Sequence, residues 1–171
     1  KSFHIMTYSL STSVIIDTIQ ATAAFRVLSA PEEIKSLFAP LLRPEVRGQL
    51  KIMVKNAFAE TILLLLPHVS DCCLDDESAV TDPGPQDTGD TTELLLKVTL
   101  GSGVNGRDYA GAAVRRHLEQ AVAMRALAEW SLAGGDSVTH RAYLTLAEAS
   151  VDRLKESLVP VSRPFLRSAT D

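Results

Sequence analysis

The chain has 171 residues, of which 46% are hydrophobic and 5% aromatic, and its formal net charge is −4. This length fits one domain that folds without a metal or a disulfide, the hydrophobic fraction excludes wholesale disorder, and the charge argues against a dedicated nucleic-acid binder. Abundant Ala and Leu favour close helix packing, so we expect residues 1–171 to form a single, mainly α domain.

The N-terminal part predicts a strand followed by two helices. Residues 3–10 are rich in aromatic and β-compatible side chains, which indicates a short strand. Hydroxyl side chains at 11–13 offer N-caps for a helix to about Leu28, whose apolar residues recur every four positions. Residues 29–32 resemble a capping box with Pro in the first turn and predict a short helix to about Phe38.

A second long helix is predicted over residues 44–66. Arg47, Lys51 and Lys55 form a basic stripe opposite its apolar side, and this stripe is a candidate interaction surface. A solvated helix face is the simpler interpretation than a nucleic-acid contact, because no aromatic side chains alternate with the stripe to stack bases. Residues 62–66 are apolar on all sides and should be buried on more than one face.

The middle of the chain is acidic. Residues 71–92 carry seven acidic side chains and no Lys or Arg, and their Pro and Gly residues predict a long loop. The acids lack the spacing of an EF-hand calcium loop. Residues 93–100 alternate as a strand that needs a partner, which is either the N-terminal strand or one donated by a neighbouring subunit.

The C-terminal third predicts an antiparallel helical hairpin. A helix is expected over residues 108–133, and the Gly-Gly pair that follows is a good C-cap and turn. Asp136 or Ser137 should cap a last helix that ends before Pro160. Two long helices joined by so short a loop pack side by side, with Trp130 and Tyr143 as core anchors near the turn.

Two motifs resemble cofactor or metal sites. Residues 101–106 match G-x-G-x-x-G between a strand and a helix, but no second strand follows to complete a dinucleotide-binding βαβ unit. His68, Cys72 and Cys73 supply three ligands where a structural zinc site needs four. Adjacent cysteines rarely form a disulfide, which favours a reducing compartment. We therefore expect no metal and no cofactor.

Catalysis is not indicated either. The chain contains neither G-x-S-x-G nor H-E-x-x-H, and we expect His117 and His140 on the solvated sides of their helices. A nucleophilic Cys72 or Cys73 would need a His nearby in space. No apolar run is long enough to cross a membrane, and the N-terminus has no signal-peptide pattern. Met6 leaves open whether residues 1–5 are native.

A family resemblance comes from the order of elements in the C-terminal half. A strand and a Gly/Asn loop precede a helix, a tight turn, a second helix and an extended tail, with the motifs Leu127-x-x-Trp130, Tyr143-x3-Ala147-x6-Leu154-x3-Leu158 and Arg163-Pro164-x2-Arg167. This order resembles small uncharacterised proteins of Bacteroidetes prophages and phage-like elements. The layout is also similar to phage head–tail connector proteins, which are helical and assemble in rings.

The resemblance implies a non-enzymatic virion structural or adaptor protein, located in the virion or the host cytoplasm. Its expected partners are further copies of itself and other structural proteins, with no small-molecule substrate, nucleic acid or membrane. Arg163 and Arg167 then join the basic stripe as candidate contact residues. The alternative is a small helical regulatory module that binds a protein partner through its hairpin.

Overall fold

The computed structural model describes residues 4–81, 92–102 and 108–158. Three strands form one antiparallel sheet in the spatial order β1-β3-β2, with the bounds β1 His4–Ser11, β2 Val69–Thr81 and β3 Thr92–Ser102. Because β3 is central, both of its edges are paired within the chain. The N-terminal strand is therefore confirmed as a partner, and no strand from a neighbouring subunit is needed.

The predicted acidic loop is wrong over residues 71–81, which belong to β2. The pairing of β2 with β3 has three register shifts, so the backbone groups of an irregular, charged segment still find partners on the central strand. A charged strand is also typical of a sheet edge, where it discourages pairing with another chain. The remainder of the predicted loop, residues 82–91, lies outside the described residues.

The N-terminal helices follow the prediction closely. Helix α1 spans Thr12–Ser29, and the Ser11 side chain caps it by accepting a hydrogen bond from the Val14 N–H at 3.2 Å. Helix α2 spans Glu32–Phe38, but no side chain caps it, so the predicted capping box is wrong. Two acidic residues in its first turn complement the positive end of the helix dipole instead.

The second long helix is shorter than predicted. Helix α3 spans Arg47–Leu64, because residues 44–46 form a separate 3-10 turn and residues 66–68 form another. Pro44 opens the first of these turns after the extended Arg43, and Pro67 in the second turn cannot donate a backbone hydrogen bond to the end of α3. The helix therefore begins after the first proline and ends before the second.

The predicted hairpin is confirmed. Helix α4 spans Asp108–Ala133 and α5 spans Ser137–Ser157. At the end of α4 the Asp136 N–H donates to the Ser131 carbonyl at 2.9 Å, and the Gly135 N–H donates to the Leu132 carbonyl at 3.0 Å. This pair of bonds is a Schellman motif, and Gly135 has the positive φ of 82° that the motif requires.

The core lies between one face of the sheet and the helices α1, α3 and α4. Leu96, Val98 and Leu100 of β3 are fully buried, as their alternation predicts. On the other face of the sheet the hydroxyls of Thr7 and Thr99 hydrogen-bond at 2.8 Å. Helix α5 packs mainly against α4, and its buried residues, such as Tyr143 and Leu154, belong to the same core.

Candidate interaction site

The inward side of α5 is fixed by a contact with α1 and α2 at Tyr143. This side chain is buried, and its hydroxyl accepts a hydrogen bond from Arg26 Nε at 3.0 Å. The Arg26 guanidinium carbon is 5.4 Å from the centroid of the Tyr143 ring, within range of a cation–π interaction. The Phe38 ring meets the same ring edge-on, with centroids 6.1 Å apart. These contacts leave the opposite side of α5 facing outward.

A second anchor lies at the end of α4. Trp130 Nε1 donates to the Leu37 carbonyl at 2.9 Å, so Trp130 and Tyr143 both act as the anchors that the sequence predicts. Gly134 lies directly against Leu37, where a Cβ would come within 2.1 Å of the Leu37 Cδ1 atom. A glycine at this position therefore lets the hairpin turn approach α2 closely.

Beside this anchor, α2 and the hairpin turn enclose an open groove of about 680 Å³. Glu33, Ile34 and Leu37 contribute one side, and Gly135 and Asp136 contribute the other. The Asp136 carboxylate already accepts hydrogen bonds from the Thr139 N–H and hydroxyl, which lower its pKa. The Ser36 hydroxyl in this groove donates to the Glu33 backbone carbonyl at 2.8 Å, and Asp136 serves as the N-cap of α5.

A cluster of charged groups links α3, α4 and α5. Arg125 Nη2 lies 3.8 Å from a carboxylate oxygen of Glu60. Burial raises the pKa of Glu129, and the charge of Arg125 partly offsets that rise. His140 was expected on a solvated helix side, but it is half-buried, with Nδ1 2.7 Å from the Ala128 carbonyl. These groups interact within the chain and tie the hairpin to α3.

The first residue of the predicted basic stripe on α3, Arg47, forms hydrogen bonds within the chain. Arg47 donates hydrogen bonds to the side chains of Asp17 at 3.1 Å and Gln20 at 3.0 Å, so it holds the start of α3 against α1. Lys51 and Lys55 are half-buried and also interact within the chain. The two arginines of the tail, Arg163 and Arg167, lie outside the described residues. The structure therefore describes three of the five predicted contact residues, and each of these three interacts within the chain.

The outward side of α1 carries a series of apolar residues, with the polar Asp17 and Thr18 between the first two of them. We call this surface the α1 face, and it consists of Val14, Ala21, Phe25 and Leu28. Phe25 is 69% exposed and Leu28 is 84% exposed. The inward stripe of α1 alone does not predict this face; its signal in the sequence is a second apolar series on the opposite side of the same helix.

The outward side of α5 carries a comparable surface, the α5 face, which consists of Val138, Ala142, Leu146 and Ala149. Val138 is 80% exposed and Leu146 is 52% exposed. Unlike the α1 face, it is bordered by exposed charges, namely Arg141, Glu148, Asp152 and Arg153. An apolar strip with a charged border is the usual form of a surface that binds another protein.

The structure describes only part of the glycine motif at residues 101–106 and of the candidate metal ligands His68, Cys72 and Cys73. Gly101 and Ser102 end β3, and residues 103–107 lie outside the described part. His68 Nδ1 is buried and has no hydrogen-bond partner among the described residues, whereas the side chains of Cys72 and Cys73 are not described. In the ranges that are described, no three His, Cys, Asp or Glu residues are grouped closely enough to hold a metal ion.

None of the helices in the described ranges combines the length and apolar character needed to cross a bilayer.

Comparison of the chain with protein-family models, with curated proteins and with solved structures gives no match. The surfaces best placed for a function in this protein are the α1 and α5 faces.

Proposed function

We propose that the protein acts by binding other protein chains, as a self-assembling structural or adaptor subunit, and that it catalyses no reaction. The observation that carries this proposal is the α1 face. Single exposed apolar residues are ordinary on a protein surface. Here, however, exposed apolar residues recur on one side of a helix at Val14, Phe25 and Leu28, while the other side of the helix is already buried in the core.

Physical chemistry supports a covering partner for this face. Fully burying a side chain such as Phe25 or Leu28 contributes about 1.5–3 kcal/mol each, and the α1 face leaves both in water. Asp17 beside the face is bound by Arg47, so covering the face would not leave this carboxylate without an ion partner.

A second copy of the chain is the proposed partner. Two separate faces on α1 and α5 would let each subunit contact more than one neighbour, which is what a ring or another closed assembly requires. This agrees with the resemblance to ring-forming connector proteins. The specific role that we propose is therefore a phage-type virion protein, such as a head–tail connector, located in the virion or the host cytoplasm.

The test is the molar mass of the purified full chain by light scattering and sedimentation over a wide concentration range. We expect a concentration-dependent rise to a multiple of the 18.5 kDa protomer. The double variant Phe25→Gln/Leu28→Gln should shift the rise to higher concentration. Ile52→Gln is the matched control, because Ile52 is 62% exposed on α3, outside both faces.

A mass that stays at 18.5 kDa at the highest attainable concentration would contradict self-assembly. The charged border of the α5 face then favours the second candidate, a monomeric module that binds a different protein through the hairpin. The virion role has its own test, which is detection of the protein in purified particles after prophage induction. Its absence from such particles would contradict the structural role.

A further inference from the structure

The groove between α2 and the hairpin turn combines apolar and acidic side chains. We call it the α2 groove, and its lining residues are Glu33, Ile34, Ser36, Leu37, Gly134, Gly135 and Asp136. Ile34 and Leu37 are half-buried and pack against the core. The volume of about 680 Å³ lies within the range of sites that hold a small ligand, so the groove has room for a few side chains of another segment.

Two carboxylates and no base line the α2 groove. Glu33 is exposed, and it forms no ion pair with any residue in the described ranges. Hydrogen bonds from the Thr139 hydroxyl and N–H lower the pKa of Asp136, so this carboxylate stays charged at neutral pH. The lining therefore favours a segment that carries basic side chains.

The bases on neighbouring elements do not line the groove. Lys35 is paired with a carboxylate of its own helix at 3.3 Å. Arg26 on α1 donates to the Tyr143 hydroxyl, and its charge is the smallest of the effects that lower the pKa of Asp136. Arg141 lines a separate cavity on the outward side of α5. The two lining carboxylates are therefore the charged groups that an occupant of the groove contacts.

A complementary segment is present in the chain itself. Residues 163–167 read Arg-Pro-Phe-Leu-Arg, so two large apolar side chains stand between two arginines. The apolar pair suits Ile34 and Leu37, and the arginines suit the carboxylates of the lining, to which a guanidinium can donate paired hydrogen bonds. This segment is thus a candidate occupant of the α2 groove.

One chain cannot place this segment in its own groove. Asp136 precedes the first turn of α5 and Leu158 follows the last turn, and the helix between them has 21 residues and is about 31 Å long. Phe165 follows Leu158 by seven residues, and a fully extended chain of that length spans at most about 25 Å. The segment that enters a groove must therefore come from another copy.

We propose that the α2 groove binds residues 163–167 of the partner subunit. The two apolar side chains of the segment pack against Ile34 and Leu37, and its arginines lie beside Glu33 and Asp136. This inference rests on the proposed self-assembly and names one of its contacts. Because the groove and the segment are different surfaces, each subunit uses its groove with one neighbour and its segment with another. Contacts of this kind close into a ring or extend into a chain.

The direct test is binding of a synthetic peptide with the sequence of residues 159–171 to the full chain carrying Phe165→Asp, which disables the chain's own segment. Trp130 is the only tryptophan of the chain, and it donates to the carbonyl of Leu37, a lining residue. Its fluorescence therefore reports occupation of the groove, and we expect a saturable change. The wild-type chain should bind the peptide more weakly, because its own segments compete.

Glu33→Lys should raise the dissociation constant of the peptide about tenfold, because it replaces an attractive charge in the lining with a repulsive one. Glu156→Lys is the matched control, since Glu156 is exposed at the far end of α5 and makes the same charge change. A peptide that carries Phe165→Asp should not bind. Circular dichroism of each variant checks that the fold is kept.

Mixing two variants tests whether groove and segment belong to different copies. Glu33→Lys and Phe165→Asp are each combined with Phe25→Gln/Leu28→Gln, which weakens the contact through the α1 face. In the mixture, the intact groove of one variant can bind the intact segment of the other. Sedimentation velocity should show a heterodimer at about tenfold lower concentration than either variant alone, and no larger species.

The outcomes separate this inference from the proposed function. Self-association of the wild-type chain without peptide binding overturns the groove contact and leaves self-assembly standing. Peptide binding that Glu33→Lys and Glu156→Lys change equally also overturns it, because the peptide then binds elsewhere. A mixture that associates no better than its components shows that the segment does not bind the groove of another copy. A full chain that stays at 18.5 kDa at the highest attainable concentration overturns both proposals.

Discussion

Helices α1 and α5 both expose an apolar outward side, but they differ in what surrounds it. The α1 face has one neighbouring charge, Asp17, and Arg47 binds it. The α5 face is bordered by charges of both signs, including Arg141 and Asp152. Apolar area favours association without fixing an orientation, whereas charged groups at fixed spacing favour one register over others. We therefore expect the α1 face to contribute most of the free energy of association, and the charges beside the α5 face to favour one orientation of the bound partner.

The largest expected effect is a difference in the free energy of unfolding between a buried phenylalanine, Phe38, and an exposed one, Phe25. Phe38→Ala removes a fully buried ring that packs on Tyr143, and it should lower the free energy of unfolding by about 3–5 kcal/mol. Phe25→Ala removes the same side chain from the α1 face and should change that free energy by less than about 0.5 kcal/mol. Urea denaturation at a concentration that keeps both variants monomeric measures the difference. Equal losses would mean that Phe25 is buried in solution.

The N-caps of the two helices provide a second contrast. Ser11→Ala and Asp136→Ala each remove a capping acceptor and should each cost about 0.5–2 kcal/mol. Only the α5 cap depends on pH. Hydrogen bonds from Thr139 lower the pKa of Asp136 in the folded state. Its contribution is therefore fully present above the unfolded-state pKa of about 3.9 and is lost as pH falls through the folded-state pKa.

Denaturation curves at neutral and acid pH check this sign. Asp136→Asn keeps a capping oxygen and should remove the acid-dependent component, while Ser11→Ala should leave that component as in wild type. An acid-dependent loss of the same size in wild type and Asp136→Asn would assign the pH dependence to another carboxylate.

The next prediction concerns the hydrogen bond between Arg26 of α1 and Tyr143 of α5. Tyr143→Phe removes the hydroxyl that accepts from Arg26 Nε but keeps the ring against Phe38. The expected loss of stability is about 0.5–1.5 kcal/mol, measured by thermal and urea denaturation. The dissociation constant of the oligomer should not change, because the contact lies on the inward side of both helices. A large change in self-association would show that this link also positions the outward faces.

The smallest expected effect concerns Glu129 between the hairpin helices. Burial raises its folded-state pKa, partly offset by Arg125, while Glu60 raises it and His140 lowers it. The folded chain therefore binds this proton more tightly than the unfolded chain does. The resulting stability is present below the unfolded-state pKa and is lost as pH rises through the folded-state pKa. Glu129→Gln should thus gain stability relative to wild type between about pH 4 and pH 7. A flat difference over this range would contradict the burial of the carboxylate.

Local patterns were sufficient for much of the fold. The hydroxyl run at 11–13, the Gly-Gly pair and Asp136 predicted where α1 and the hairpin helices begin and end, because caps are short-range contacts. The capping box predicted at residues 29–32 was wrong, because a helix can begin without a side-chain cap and α2 does so. The loop predicted over residues 71–81 was wrong for a different reason. This segment forms a strand because it pairs with β3, and its own composition does not indicate that pairing.

The sequence by itself determined the mainly helical class, the hairpin and the inward apolar stripes, because these follow from periodicity and caps within a few residues. Only the tertiary structure decided that Arg47 binds Asp17, that Tyr143 meets Arg26, and that outward apolar residues of α1 and α5 are exposed among the described residues. The physical reason is that a stripe's periodicity says which residues share a side of a helix. Which of those sides meets water depends on the packing of elements distant in sequence.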